Sequence, residues 1–132
     1  MSGVSLRLQL LQVLPKLVRL AAADVQEILK EFPEARGRSA VLVLYDSRGG
    51  RIAFHVSLDG GVREVSPDSP PPATNVITMH VDTFIRILKG KIDFRSAYLY
   101  DLIDIKSNDG LPASYHFLLW SAFFDRVRRL VG

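Results

Sequence analysis

The sequence predicts one α/β domain of the α+β type, in which a sheet and several helices share a single core. Length gives the first reason, because 132 residues make one domain that buries roughly two-thirds of its unfolded surface. Five segments with the residue pattern of strands give the second reason. The third is three segments whose apolar residues recur at helical spacing.

Composition restricts the partners of this chain. Hydrophobic residues are 48% of the sequence and charged residues 23%, and the formal net charge of +3 comes from basic residues dispersed among acidic ones. A nucleic-acid-binding protein needs a segregated basic stripe, so no nucleic-acid partner is expected, whereas anionic ligands and membrane surfaces fit. The chain has no cysteine, which excludes disulfides and thiol catalysis. The sequence has neither a signal-peptide pattern nor an apolar run of membrane-spanning length, so a cytoplasmic location is expected.

The N-terminal part of the single domain, residues 1–132, begins with an arm and a helix. Residues 1–13 are assigned to the arm because their apolar positions fit a strand and a helix equally well. A helix is predicted from about residue 14 to residue 32, where apolar residues step at helical spacing. Pro33 ends this helix.

A β-hairpin is predicted next. Its arms are residues 39–45 and 51–58, and a turn containing two glycines joins them at 46–50. A short third strand is predicted at 62–65. Residues 66–74 contain four prolines, which donate no ladder hydrogen bonds, so this segment is predicted to be a stiff extended loop.

The stretch from 75 to 107 contains two more predicted strands and a helix. Residues 75–81 have the pattern of a fourth strand, and Asp82 is predicted to cap a short helix. Gly90 ends that helix, because a residue without Cβ readily adopts the left-handed conformation. From Ser96 the apolar period returns to two, which predicts a long fifth strand over 96–107.

This stretch resembles the lipid-binding domain of sterol carrier protein type 2, the non-specific lipid-transfer protein. The elements that carry the resemblance, in order, are Ile77-Thr78-Met79, Asp82, residues 84–88, Gly90-Lys91, Ser96-Ala97 and Gly110. The resemblance covers roughly the last two-thirds of the chain. It implies a mixed, mostly antiparallel sheet, and helices that enclose an apolar lipid tunnel.

Asp101 departs from that family, in which a glycine commonly occupies this place. On the predicted fifth strand it shares the otherwise apolar face of Leu99, Ile103 and Ile105. A lone buried carboxylate is costly, so Asp101 is predicted to find a hydrogen-bonding partner, to lie near the end of the sheet or to face a polar part of a ligand. A tunnel that contains a carboxylate is less suited to a bare sterol.

The C-terminal helix is predicted over about residues 108 to 130. It is apolar nearly all round between 117 and 124, and a helix of this kind has to be covered on most sides. One face of a sheet covers only one stripe. The remainder is therefore predicted to contact a ligand, another helix or a second subunit, and Phe123 and Phe124 are the candidates for a homodimer contact.

The main hypothesis is non-covalent binding of a fatty acid, a fatty acyl-CoA or a sterol-like molecule, without a cofactor, and transfer of that molecule is an extension of this hypothesis. The residues predicted to line its apolar cavity are Phe54, Met79, Phe84, Leu88, Leu99, Asp101, Phe117, Trp120 and Phe124. The residues predicted to contact an anionic head group or a membrane are Arg86, Lys89, Lys91 and Arg95. The alternative is a homodimeric interaction module with a filled core and no lipid.

Catalysis is the third and weakest hypothesis, with Asp101 or His116 as the proton-handling group. The three histidines, His55, His80 and His116, lack the short spacing that is typical of zinc sites. No nucleophile elbow supports a serine, histidine and aspartate assembly. The sequence therefore predicts a protein that is not an enzyme and holds no metal.

Overall fold

The computed structural model describes residues 27, 30, 31, 33, 37–57, 61–108, 120–122, 124 and 125. In chain order, the elements that lie wholly within the described residues are β1 (Ser39–Tyr45), β2 (Arg51–Ser57), β3 (Gly61–Val65), β4 (Asn75–His80), α1 (Val81–Leu88), α2 (Phe94–Leu99) and β5 (Ile103–Ser107). Residues 27, 30 and 31 are helical, and so are 120–122, 124 and 125.

The five strands form one mixed sheet in the order β3-β2-β1-β4-β5. The neighbours β1 and β4 are parallel, whereas the other three pairs are antiparallel. The predicted α+β class and the mostly antiparallel sheet are thus confirmed. The predicted hairpin of β1 and β2 is confirmed as far as Ser57, and residue 58 lies outside the described residues.

Registered rows of side chains build the core on one face of the sheet. One row runs from Phe54 on β2 through Leu42 and Ile77 to Ile105 on β5. All four are at most 9% exposed. Paired residues on neighbouring strands point to the same face of a sheet, so this row lies on one face and is covered there. The central strand β1 is buried on both faces, since Val41 packs in a second cluster on the opposite side.

Helix α1 begins two residues earlier than the sequence predicts. The N-cap is His80, whose extended backbone lets the imidazole Nδ1 accept a hydrogen bond from the Asp82 backbone N–H at 3.0 Å. The prediction that Asp82 is the cap is therefore wrong. Asp82 lies in the first turn, where its negative charge suits the helix dipole.

The end of α1 follows the prediction. Gly90 has φ of +73°, and its N–H donates to the carbonyl of Ile87 at 3.1 Å. The next N–H, from Lys91, donates to the carbonyl of Arg86 at 2.9 Å. These two bonds form a Schellman motif, which satisfies carbonyls that a helix end would otherwise leave unpaired.

The predicted long strand over 96–107 is wrong in its first half. Residues 94–99 form α2, and only Ile103–Ser107 pair with β4. The Asp93 carboxylate accepts from the Ser96 backbone N–H at 2.6 Å and so caps the helix. Phe94 and Ala97, three residues apart, are fully buried on the inner face of α2.

Helix α2 ends in the same motif as α1, with Asp101 where α1 has glycine. Asp101 has φ of +61°, and its N–H donates to the carbonyl of Tyr98 at 3.1 Å. The Leu102 N–H donates to the carbonyl of Ala97 at 2.9 Å. Glycine is the preferred residue at this left-handed position, and aspartate is tolerated there.

Two predicted helices fall mainly outside the described residues. The helical residues 27, 30 and 31 agree with the helix predicted over 14–32, and residues 120–122, 124 and 125 agree with the C-terminal helix. The remainder of both segments and the arm at 1–13 lie outside the described part of the chain.

Candidate functional site

The candidate site is the apolar core between the sheet and its helices. Both α1 and α2 contribute side chains to it. So do Trp120 and Phe124, which belong to the helical residues 120–122, 124 and 125 that we call the helical segment. Six of the nine residues predicted to line a cavity lie in this one cluster. They are Phe54, Met79, Phe84, Leu88, Trp120 and Phe124.

Three phenylalanine rings join the helical segment to α1 and α2. The Phe124 ring stacks on Phe94 of α2, with centroids 4.9 Å apart and planes 7° apart. The Phe124 ring also forms a T-shaped pair with Phe84 of α1, with centroids 6.2 Å apart and an angle of 86° between the ring planes. Stacked and T-shaped pairs each stabilise a fold by about 0.5–1.5 kcal/mol beyond the area that they bury. Phe124 is thus held by both helices.

One buried hydrogen bond holds the same helical segment to the sheet. The indole Nε1–H of Trp120 donates to Oδ1 of Asn75, the first residue of β4, at 2.9 Å. The Asn75 amide nitrogen donates in turn to the Lys106 carbonyl and to the Ser107 hydroxyl, both at 3.3 Å. Asn75 is fully buried, so these bonds satisfy an amide that burial would otherwise destabilise. We call the contacts of Trp120 and Phe124 the closing contacts.

The core is packed tightly at the six predicted residues. Each exposes at most 3% of its surface, so little or no space wide enough for water adjoins them. The polar or charged residues that the structure describes as buried are Asn75 and Thr83. The described part of this core therefore contains no buried carboxylate.

Leu99 and Asp101 do not belong to this core, and their predicted places on a strand are wrong. Leu99 is 66% exposed at the end of α2, and Asp101 is exposed in the turn that follows. The physical reason is the helical conformation of 94–99, which directs Phe94 and Ala97 inward instead. Phe117 lies outside the described residues.

Phe124 is also unavailable to a second subunit. It is 2% exposed and packs within its own chain, so the prediction that it faces a homodimer partner is wrong. Phe123, the other candidate for that contact, lies outside the described residues. The homodimer itself stays a prediction.

Sequence analysis missed Phe94 and Asn75. A signal existed for Phe94, because Asp93 before it is a good N-cap and Ala97 follows at helical spacing. Asn75 has the same parity as Ile77 and Met79, which placed it on the core face. Its partner Trp120 is 45 residues away, and no sequence pattern pairs the two.

The four predicted head-group residues are all exposed. Arg86 lies on the outer face of α1, Lys89 and Lys91 flank Gly90, and Arg95 lies on the outer face of α2. Their positions permit contact with an anionic group, and that role stays a prediction.

A serine, a histidine and an aspartate meet at the end of β1 and β4. The Ser47 hydroxyl lies 3.2 Å from Nε2 of His80, and Oδ2 of Asp82 lies 3.7 Å from Nδ1. However, Nδ1 accepts the Asp82 N–H, so the neutral ring carries its proton on Nε2 and donates to the hydroxyl. A ring in this tautomer does not take a proton from Ser47, which a triad requires.

Other chemical signals in the described residues are weak. They contain no group of three or more histidine, aspartate and glutamate side chains that is arranged to hold a metal ion. His116, one of the two predicted proton-handling residues, lies outside them. Desolvation and then the nearby Arg63 lower the pKa of His55, which lies on β2 opposite Arg63 on β3.

The helical residues that the structure describes include no membrane span. None of the described helical stretches has both the length and the apolar character that a membrane span needs.

Comparison with known proteins identifies the fold. The chain is similar to the apo form of sterol carrier protein 2 from Yarrowia lipolytica, with a TM-score of 0.59 and 15% identity over 88% of this chain and 86% of that chain. A crystal structure of sterol carrier protein 2 has a TM-score of 0.57 and 16% identity, covering 88% and 90%. The palmitated protein SCP2L2 from Aedes aegypti has a TM-score of 0.54 and 15% identity, covering 79% and 91%.

At the level of sequence, the chain matches no family model and no curated protein. The resemblance to sterol carrier protein type 2 is therefore confirmed at the level of the fold.

Proposed function

We propose that this chain, which has the sterol carrier protein 2 fold, is a non-enzymatic carrier that binds one apolar lipid between its sheet and the helical segment that contains Trp120 and Phe124. The observation that carries the proposal is the largely apolar core face, with Asn75 as a buried polar residue on it, that the closing contacts of Trp120 and Phe124 cover. The palmitated relative supports a fatty acid or a fatty acyl group as the ligand class.

The free-energy balance favours a ligand that opens the core. Each buried methylene contributes about 0.8 kcal/mol, so a long acyl chain gains on the order of 10 kcal/mol before the costs of binding. Opening the closing contacts breaks two aromatic pairs of about 0.5–1.5 kcal/mol each and one hydrogen bond of about 1 kcal/mol, and it uncovers the area that Trp120 and Phe124 bury. A long acyl chain that covers this area again offsets the loss, whereas a short one does not.

The absence of a carboxylate from the described core broadens the ligand class. Asp101 lies outside the core, so the reason to disfavour a bare sterol no longer applies. The proposal thus covers fatty acids, fatty acyl-CoA and sterol-like molecules, with an anionic head group directed to the exposed cations of α1 and α2.

The direct test is organic extraction of the purified protein followed by mass spectrometry, with titration of a fluorescent fatty acid. We expect an extracted lipid and saturable binding. The Trp120→Phe variant, which loses the hydrogen bond to Asn75, should bind and release the probe faster than the wild type. Val43→Ala is the matched control, because Val43 is buried on the opposite face of the sheet. A protein that yields no lipid and binds no probe overturns the proposal.

The second candidate, an interaction module without a lipid, is favoured by the tight packing at the six predicted residues. It predicts a stable dimer by light scattering together with no probe binding. A monomer that binds the probe excludes it.

A further inference from the structure

Large apolar side chains are exposed mainly at one place in the described part of the chain. Of its four exposed large hydrophobic residues, three lie within four consecutive positions: Leu99 at 66%, Tyr100 at 72% and Leu102 at 37%. Scattered exposed apolar residues are ordinary, but a contiguous set marks an interaction site. We call these three residues the α2 tip.

The exposure follows from the way α2 packs and ends. Phe94 and Ala97 occupy its inner face, so Leu99 points outward with Arg95, one helical turn before it. The left-handed residue Asp101 then reverses the chain direction, which leaves Tyr100 and Leu102 on the two sides of a tight turn. Backbone hydrogen bonds of the helix end fix this turn. The tip is therefore a built feature of the fold.

Exposed basic residues lie close to the tip along the chain. Between residues 86 and 102 the sequence has four cations, Arg86, Lys89, Lys91 and Arg95, and two acids, Asp93 and Asp101. The Asp93 carboxylate is engaged at the start of α2. Asp101 is the acid inside the tip, and Asp104 follows on the exposed side of β5. The cations thus outnumber the acids in the stretch of chain, residues 86–102, that contains the α2 tip.

We propose that the α2 tip docks on an anionic lipid bilayer. Leucine and tyrosine partition into the interfacial region of a bilayer, and the four cations are attracted to acidic head groups. A second copy of this chain fits less well, because two like-charged surfaces repel each other. The proposal deepens the carrier function, since Phe94 on the inner face of α2 stacks on Phe124, one of the closing contacts.

The test is flotation of the full chain with vesicles of phosphatidylcholine alone and of equimolar phosphatidylcholine and phosphatidylserine. We expect binding to the anionic vesicles only, weakened by salt. The double variant Leu99→Ser, Tyr100→Ser should bind at least about tenfold less, because it removes apolar area. The matched double variant Leu99→Met, Tyr100→Phe keeps that area and should bind as the wild type does.

The charge contribution is tested separately. Arg95→Gln should weaken binding by about fivefold, the effect of one cation near the membrane surface. The control is Arg63→Gln on β3, the edge strand that lies about 19 Å from β5 at the usual strand spacing. This control should not change binding.

Vesicle binding and ligand binding are measured apart, so that either proposal can fail alone. The Leu99→Ser, Tyr100→Ser variant should bind a fluorescent fatty acid in solution as the wild type does. Wild-type protein that does not float with anionic vesicles, or a double variant that floats equally well, overturns the docking proposal. A double variant that changes only the oligomeric state by light scattering also overturns it, in favour of a second copy as the occupant.

Discussion

The helices α1 and α2 share three structural features but form them with different residues. Each has a capped start, an inner phenylalanine that contacts Phe124 and a Schellman ending. At the left-handed position α1 has Gly90, whereas α2 has Asp101. Sequence analysis identified α1 and assigned α2 to a strand. A helix that ends without glycine, in a segment whose apolar residues also alternate, is difficult to recognise from its sequence.

The largest expected effects concern the inner faces of the two helices. Phe84→Ala and Phe94→Ala should each lower the free energy of unfolding by about 3–5 kcal/mol, because each removes a buried aromatic ring. Urea unfolding measures this loss. If Phe94→Ala is nearly neutral, α2 does not pack on the core as described.

Double-mutant cycles with Phe124→Ala sharpen this comparison. A coupling energy of about 0.5–1.5 kcal/mol is expected for each pair, larger for Phe94 because its ring centroid is closer. Val43→Ala on the opposite face should combine additively with Phe124→Ala, within about 0.5 kcal/mol.

The next effect concerns the end of α1. Gly90→Val should lower the free energy of unfolding by about 1–2 kcal/mol, because its φ of +73° forces Cβ towards the following carbonyl. Gly90→Asn, measured in the same urea experiment, should lower the free energy of unfolding by less than Gly90→Val does, since asparagine tolerates this conformation. Equal stability of Gly90→Val and the wild type would show that α1 ends in another way.

A smaller effect is expected at the start of α2. Asp93→Ala should lower the free energy of unfolding by about 1 kcal/mol, because the Ser96 N–H loses its acceptor. Asp93→Asn keeps an acceptor and serves as the control. His80→Ala, the corresponding change in α1, should lower the free energy of unfolding by less. The imidazole Nδ1 is not a charged acceptor, and its bond from the Asp82 N–H is longer, at 3.0 Å. The reverse order of losses would contradict the assigned caps.

The smallest effect is a gain at the end of α2. Asp101→Gly should raise the free energy of unfolding by about 0.5–1 kcal/mol, because glycine accepts positive φ without steric cost. Asp101→Asn should raise the free energy of unfolding by about 0.3–1 kcal/mol, because it removes a negative charge from the negative end of the helix dipole. Salt should reduce the asparagine gain, and thermal unfolding at two ionic strengths measures it. A loss in both variants would mean that the carboxylate stabilises the turn.

Much of the sheet was predictable because strand patterns are local. The hairpin, the inward alternation of β2 and β4 and the glycine at the end of α1 each depend on residues near each other in the chain. Six of the nine residues predicted to line an apolar cavity share one buried cluster, and the cavity itself stays a prediction. Ligand binding at that cluster remains the proposal to be tested.

The errors at residues 96–101 have one physical origin, which is the length of the partner strand. β4 has six residues and pairs with β5 only over 103–107. A strand that began at Ser96 would leave its first half without a hydrogen-bonding partner on β4. The same residues instead form a helix, whose inner side chains pack against Phe124 some 30 residues further along the chain.

The sequence by itself determined the class of fold, the core-facing residues of the strands and the end of α1, because these depend on backbone periods and single-residue preferences. Only the tertiary structure decided that residues 94–99 are helical, that Asp101 lies outside the core and that Asn75 binds Trp120. Those outcomes depend on contacts between distant segments, and such contacts select one of the local conformations that the chain permits.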